Sequence, residues 1–399
     1  MTTQPTEVAA AQPNRPTSPS TILGFLQRIH GVLRRSTPGV AFPLVVYVLW
    51  RLSQLATSVY LGGTPGHSAF FYDAEHYLRI MHRGYFNPRP MMPSHAFFPA
   101  VSWLGWPIWK LTHSDLVAVH VVATATGIAA FIAIWGVSKA WRSELVARRA
   151  VVLFALFPSS FFLWAFYSEG LFIALGAGAV WADRRGRKGI ATALLVGIGA
   201  TRSIGIVIPA VLILARVIHQ RRVDRWCFAY LVAGLSSFAV VLAVMQAQVG
   251  DPWAFLKVQK DWGRTLSAPW TSVIQGYQNL WPRRGTVMVP SLIARNFDLW
   301  CVVIVILAIG YAAFSRRDRF PIQTWLLGLA LVALPLCSSV LASFNRFVFA
   351  DWIIFPVYAS AIGRLPRRLR FIVMTALIVA MMMTAYAFIG RFSIGKFVG

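Results

Sequence analysis

Charge is what this chain of 399 residues has least of. Asp, Glu, Lys and Arg together make up 13% of it, against 57% hydrophobic residues. A soluble domain carries roughly a quarter charged residues, so a water-soluble globular protein is excluded. Acids are scarcest: 13 carboxylates stand against 38 Lys and Arg, a net charge of +25. Cysteine is almost missing too. Cys227, Cys301 and Cys337 lie in or at the ends of apolar runs, which excludes a disulfide framework or cysteine metal site and leaves small buried hydrophobes. A Gly-rich phosphate loop, an HExxH helix, a nucleophile elbow and a CxxC pair are all absent, so ATPase, hydrolase and zinc readings lack a motif. No inverted repeat of the transporter kind is visible. No short apolar stretch with a cleavage site follows the amino terminus, and the first span is expected to stay as an anchor.

What is present is membrane sequence. Apolar runs lie at about 40–59, 116–138, 150–166, 169–183, 189–218, 226–248, 296–314, 321–341, 347–363 and 371–390, most of them near the 20 or so residues that cross a bilayer. A charge of +25 would suggest nucleic acid in a soluble protein. Here the basic residues sit in short clusters between apolar runs: Arg28/Arg34/Arg35, Lys139/Arg142/Arg148/Arg149, Arg184/Arg185/Arg187/Lys188, Arg216/Arg221/Arg222/Arg225, Arg316/Arg317/Arg319 and Arg364/Arg367/Arg368/Arg370. That is an orientation signal, and no nucleic-acid partner is expected. A cytoplasmic amino terminus puts every cluster on the cytoplasmic side, provided that 95–111 does not span and that 189–218 enters and leaves on one side. Segment 95–111 holds Pro99, Pro107 and Lys110, which suits an interfacial or re-entrant piece. Run 189–218 is too long for one straight span and carries Thr201-Arg202-Ser203 near its middle, so two shorter helices are expected to meet around Arg202 and Gly205.

The expected fold is therefore an all-α polytopic membrane protein. It has a disordered tail over 1–36, rich in Pro, Ser and Thr, and a single transmembrane domain over 37–399 with about eleven transmembrane helices. Loops 60–115 and 249–295 are placed on the outer face and carry amphipathic helices. Lysine occurs only at 110, 139, 188, 257, 260 and 396; this preference for Arg points to a GC-rich bacterial genome and a bacterial plasma membrane.

So few carboxylates can be sorted by place. Glu144, Asp183, Asp224 and Asp318 fall in basic clusters as surface ion-pair partners, and Glu7 is in the tail. Asp351 lies within a span, where a charge is costly. Asp73, Glu75, Asp115, Glu169, Asp251, Asp261 and Asp298 fall on or near the outer face, where acid–base chemistry then belongs.

As a helix, 70–80 puts Asp73, His76, Tyr77 and Ile80 on one face and Glu75 with Arg79 on another. With Asp73 at the N-cap, both acids lie near the positive end of the helix. An ionised carboxylate there suits a general base for a sugar hydroxyl; equally, Asp73 is a plain cap and Glu75–Arg79 a surface pair. Arg202 at membrane depth is either a phosphate clamp or a snorkelling side chain, and Arg346 between two spans has the same two readings. In loop 250–264, Gln259, Lys260, Trp262 and Arg264 either contact a lipid phosphate and sugar or lie on an interfacial helix. Glu169, at an outer turn, either meets substrate or is solvated.

Read in order, five blocks resemble the PIG-V family, which includes the second mannosyltransferase of GPI-anchor synthesis. They begin with Tyr72-Asp73-Ala74-Glu75-His76-Tyr77, followed by Gly84-Tyr85 and His95-Ala96-Phe97-Phe98-Pro99. Phe157-Pro158-Ser159-Ser160 with Tyr167-Ser168-Glu169-Gly170 comes next, then Thr201-Arg202-Ser203-Ile204-Gly205, and finally 259–264 and 346–356. Tyr72 stands where that family usually has Trp, and Ile204 where Asn is common. The resemblance implies a glycosyltransferase of the GT-C superfamily. Such an enzyme moves a sugar, here mannose, from a polyprenyl-phosphate donor to an acceptor hydroxyl on a glycolipid, glycan or protein at the outer leaflet, with inversion. Asp73 would be the catalytic base and Glu75 its helper. Arg202, with Arg346 or Lys260, would hold the donor phosphate, and His76, His95, Glu169, Gln259, Trp262 and Arg264 would contact substrate. No metal or other cofactor is expected if arginines neutralise the phosphate. The rival readings are a lipid or solute transporter, with Arg202 and Asp351 marking its path, and a non-catalytic subunit of an envelope-glycan complex. A third keeps the chemistry and changes the sugar to arabinose, glucose or galactose.

Overall fold

The structure, a computed structural model, describes residues 39–64, 66, 69–85, 93–278, 289–393 and 395, with only the backbone for 289–295. The tail expected over 1–36 lies outside the described residues, as do 86–92 and 279–288 of the two long loops. From Pro43 onward the chain forms one compact unit.

Among the described residues there is no β-strand, only an isolated bridge between Leu266 and Ser338. The helices run in the order α1 Ala41–Tyr60, α2 Asp73–Arg83, α3 Ala100–Thr112, α4 Asp115–Trp141, α5 Glu144–Leu156, α6 Glu169–Arg184, α7 Lys188–Ile198 and α8 Val207–Gln220. They continue as α9 Arg225–Val249, α10 Ala254–Lys257, α11 Pro269–Gln278, α12 Val289–Phe314, α13 Ile322–Leu336, α14 Phe344–Ala350, α15 Ile354–Gly363 and α16 Arg367–Ser393. Several start where sequence chemistry dictates. The side chains of Ser114, Ser143 and Asp224 accept backbone N–H bonds from the first turns of α4, α5 and α9, satisfying donors that a helix end leaves open.

Among the described residues six helices are long and apolar enough to cross a bilayer, and the pair α14–α15, bent by 73°, makes a seventh if counted as one span. The expected total of about eleven therefore depends on shorter helices such as α7 and α13. Helix α3 has 13 residues with Pro107 inside it, about 20 Å at 1.5 Å per residue, against the roughly 30 Å of a bilayer's hydrocarbon core. The long run at 189–218 is divided as expected: α7 ends at Ile198, and a 3-10 turn at Ser203–Ile206 leads into α8.

The basic end of the bundle is stapled by acids. Glu144 pairs with Lys139 and Arg148 at 3.0 Å each, Asp183 with Lys188 at 2.5 Å, and Asp224 with Arg216. Asp318 corrects the surface reading given to it. It is 1% exposed and is gripped by Arg142, Arg364 and Tyr311, tying the turns after α4, α12 and α15 together. At mid-depth, Phe154, Phe157, Phe349 and Phe355 interlock with ring centroids 5.0–6.0 Å apart. This packing locks α5 against the bent pair α14–α15 and so fixes where α14 starts.

Candidate active site

Two short elements bring the site together, and each begins at a strained residue. Tyr72, just before α2, has φ 57°, and Ser343, just before α14, has φ 62°. Neither is glycine, and such a backbone costs about 1–2 kcal/mol per residue. Tyr72 is held by its hydroxyl, which donates to the Gly395 carbonyl at 2.6 Å. The α14 start is held by a buried relay. Asp298 Oδ1 accepts from the Asn345 backbone N–H at 2.6 Å and from its side-chain amide at 2.7 Å, and Ser159 donates to Asn345 Oδ1 at 2.7 Å. Asp298 is thus a buried positioning group, 8% exposed, at the same end of the bundle as Asp73.

These two starts point at each other. Asp73 is the first residue of α2, whose N-cap position is taken by Tyr72; Arg346 donates to the Asp73 Oδ2 at 2.5 Å. The other edge of the same guanidinium donates twice to Glu169 Oε1, at 2.9 and 2.7 Å. Arg202, at the break between α7 and α8, donates to that oxygen at 3.0 Å. Glu169 is completely buried, and its Oε2 has no hydrogen-bond partner among the described residues. The charges are packed between rings, with the Arg346 guanidinium 4.7 Å from Phe162 and 4.8 Å from Tyr167. Arg202 lies 5.1 Å and Arg264 5.5 Å from the Phe347 ring, in cation–π range. Arg264 makes no ion pair among the described residues. Burial, with Arg346 close by, pushes its pKa below the usual guanidinium value. Three guanidiniums therefore face two carboxylates, which leaves one positive charge for a ligand anion.

A cavity of about 370 Å³ opens beside this cluster, lined by Phe71, Tyr72, Asp73, Glu75, His76, Trp262 and Gly395. Asp73 stands between cavity and arginines. His76 stacks on Phe97 at 4.4 Å and shares a 3.1 Å hydrogen bond with Ser94 through Nδ1. Burial pushes its imidazole down to about 4, against the pull of Asp73, so it is neutral at neutral pH. Trp262 sits 5.5 Å from His76 with its Nε1 unpartnered among the described residues.

The structure thus brings together Asp73, Glu169, Arg202, Arg264 and Arg346, with Glu75, His76 and Trp262 around the cavity. Glu75 is mostly exposed and pairs with Arg79 at 3.3 Å. His95 turns elsewhere, its Nε2 within 3.2 Å of the Tyr85 carbonyl. The Gln259 side chain donates to the Phe255 carbonyl, and Lys260 is exposed without a contact to the cluster. Among the described residues no three His, Cys, Asp or Glu side chains converge on one point. Sequence reasoning missed Phe162, Tyr167 and Phe347, the rings that sheath the arginines.

The profile of the mannosyltransferase (PIG-V) family matches residues 58–249. Over that stretch, a little under half of the chain, it is similar to the PIG-V family. The matched residues hold Asp73, Glu169 and Arg202, while Arg264 and Arg346 come from beyond the family match. No curated protein matches the chain in sequence. Among solved structures it resembles the oligosaccharyltransferase of Archaeoglobus fulgidus in its apo form, at a TM-score of 0.50 and 12% identity, over 90% of this chain and 56% of that one. The archaeal oligosaccharyltransferase AglB from Archaeoglobus fulgidus, with an inhibitory peptide and a dolichol-phosphate, matches at 0.47 and 14%, over 90% and 56%. The chain thus spans little more than half the length of these structures. At such identity the first likeness shows the fold alone.

Proposed function

We propose that this protein is a membrane glycosyltransferase that moves mannose from a polyprenyl-phosphate donor to an acceptor hydroxyl, with inversion. The observation that carries the reading is the Asp73–Arg346–Glu169–Arg202 cluster at the wall of the 370 Å³ cavity.

In the proposed step Asp73 takes the proton from the acceptor hydroxyl. The oxygen attacks C1 of the sugar as the bond from C1 to the phosphate oxygen breaks, and the polyprenyl phosphate leaves with the electron pair. Arg264 and Arg202 meet the charge that develops on that phosphate, an electrostatic contribution of several kcal/mol in a dry site. Arg346 is shared: an arriving phosphate competes with Asp73 for its guanidinium and frees the carboxylate to act as base. Glu169 is tied by three arginine hydrogen bonds, a poor nucleophile for a two-step retaining path, which supports inversion. The neutral His76 and the Trp262 face supply a sugar-sized wall with an unused indole donor.

The orientation in this reading puts Asp73 at the outer leaflet and the basic loops in the cytoplasm. The test is transfer of labelled mannose from polyprenyl-phosphate mannose by the purified protein, with acceptors found by comparing glycolipids and glycoproteins of cells with and without it. Asp73→Asn keeps the size and removes the base, and a loss of at least about a hundredfold is expected, the scale of general-base catalysis. Undiminished transfer by Asp73→Asn removes Asp73 from the mechanism.

A further inference from the structure

Away from this cluster, one cation lies within the apolar layer with no acid beside it. Arg51 is midway along α1 (Ala41–Tyr60), about 13 Å from the end of that helix that adjoins the Asp73 region. Among the described residues it makes no ion pair. Its Nη2 lies 3.3 Å from His120 Nδ1, its guanidinium sits over the Trp164 ring at 5.4 Å, and its Nη1 is buried without a hydrogen-bond partner. The nearby polar groups are unsatisfied too. Gln54, one turn along α1 and 6% exposed, has an unpartnered Oε1, and the fully buried Trp164 has an unpartnered Nε1.

An arginine stays charged in a protein, and a charge in the hydrocarbon layer persists only with an anion, with polar partners or by reaching the interface. Arg51 does not reach it, because the side chain is held over Trp164 and against His120. Both helices around it present bare hydrocarbon outward: Leu52 and Leu55 on α1, and Leu116, Val117 and Val121 on α4, are exposed. Whatever arrives from that side has to bring an anionic group on an apolar tail.

We propose that Arg51, with Trp164 Nε1, binds the phosphate of an anionic lipid where α1 meets α4. The site is separate from the proposed reaction. The segment that begins at Pro158–Leu163 and continues through Trp164 to Tyr167 divides the two, with Trp164 toward Arg51 and with Phe162 and Tyr167 toward Arg346. The same phosphate chemistry is carried by a glycerophospholipid and by a polyprenyl monophosphate.

The test is native mass spectrometry of the full chain from nanodiscs of phosphatidylcholine alone, with added phosphatidylglycerol, or with added polyprenyl monophosphate. Wild type is expected to retain one anionic lipid that Arg51→Gln loses by at least fivefold; the arm in which this Arg51-dependent retention occurs names the source. Trp164→Phe keeps the ring and removes the donor. It is expected to weaken retention by a smaller factor, and it serves as the readout if Arg51→Gln does not fold. Retention unchanged in Arg51→Gln, or in Trp164→Phe where the first variant is lost, overturns the proposal. Equal retention of phosphatidylcholine and the anionic lipids overturns it as well.

Discussion

Glu169 shows how a residue's role escapes its neighbours in sequence. Its partners Arg202 and Arg346 lie 33 and 177 residues away, so the local Tyr-Ser-Glu-Gly pattern left contact with substrate and simple solvation equally open. Burial decides against solvation: the carboxylate is the counter-charge that lets two arginines exist at that depth. Asp73 was easier to single out, because scarcity of acids and a helix start already marked it; its ion pair with Arg346 was not readable. The two residues separate in a stability measurement. Glu169→Gln leaves Arg202 and Arg346 buried with reduced compensation, and removing one partner of a buried pair costs about 3–5 kcal/mol. Asp73 is 16% exposed at the side chain and takes a single bond from Arg346. Thermal unfolding in detergent is expected to show a marked loss for Glu169→Gln and little change for Asp73→Asn, although both lose transfer activity. A stable Glu169→Gln would mean that the arginines do not depend on it.

Among the elements, what local chemistry determines was legible and what packing determines was not. The break between α7 and α8 followed from the excess length of an apolar run with an arginine at its middle. The bend between α14 and α15 was read as one span over 347–363, because Phe154, which packs on both Phe349 and Phe355 across the bend, comes from a distant segment. Gly205 shows the α7–α8 break as a requirement of shape. A Cβ there would sit 2.3 Å from the Ile198 carbonyl oxygen and 2.9 Å from its carbon, both backbone atoms that cannot swing aside. Gly205→Ala is therefore expected to cost about 1–3 kcal/mol and to displace Arg202, which precedes it by three residues. Lower thermal stability, together with a raised KM for the donor, is the expected signature. Unchanged values would mean that the break is looser than its contacts imply.

At the scale of the whole molecule, charge is polarised along the bundle. Asp73, Glu169, Arg202 and Arg346 meet at one end, and the turns holding Arg142, Arg184, Arg221, Arg316 and Arg364 lie at the other. Basic turns of this kind stay in the cytoplasm, so the end bearing Asp73 is expected to face outward. Cysteine labelling in cells tests this, since Cys227 and Cys301 are buried and only Cys337 needs removal. Thr112 at the end of α3 and Arg187 in the turn before α7 are both exposed and lie at opposite ends. In a Cys337→Ala background, Thr112→Cys is expected to react with a membrane-impermeant maleimide in intact cells, and Arg187→Cys only after the membrane is opened. The reverse pattern would put Asp73 on the cytoplasmic side. The donor would then have to be charged and consumed on one leaflet, and the outer-leaflet acceptor would have to be abandoned while the residue chemistry at Asp73 stayed as proposed.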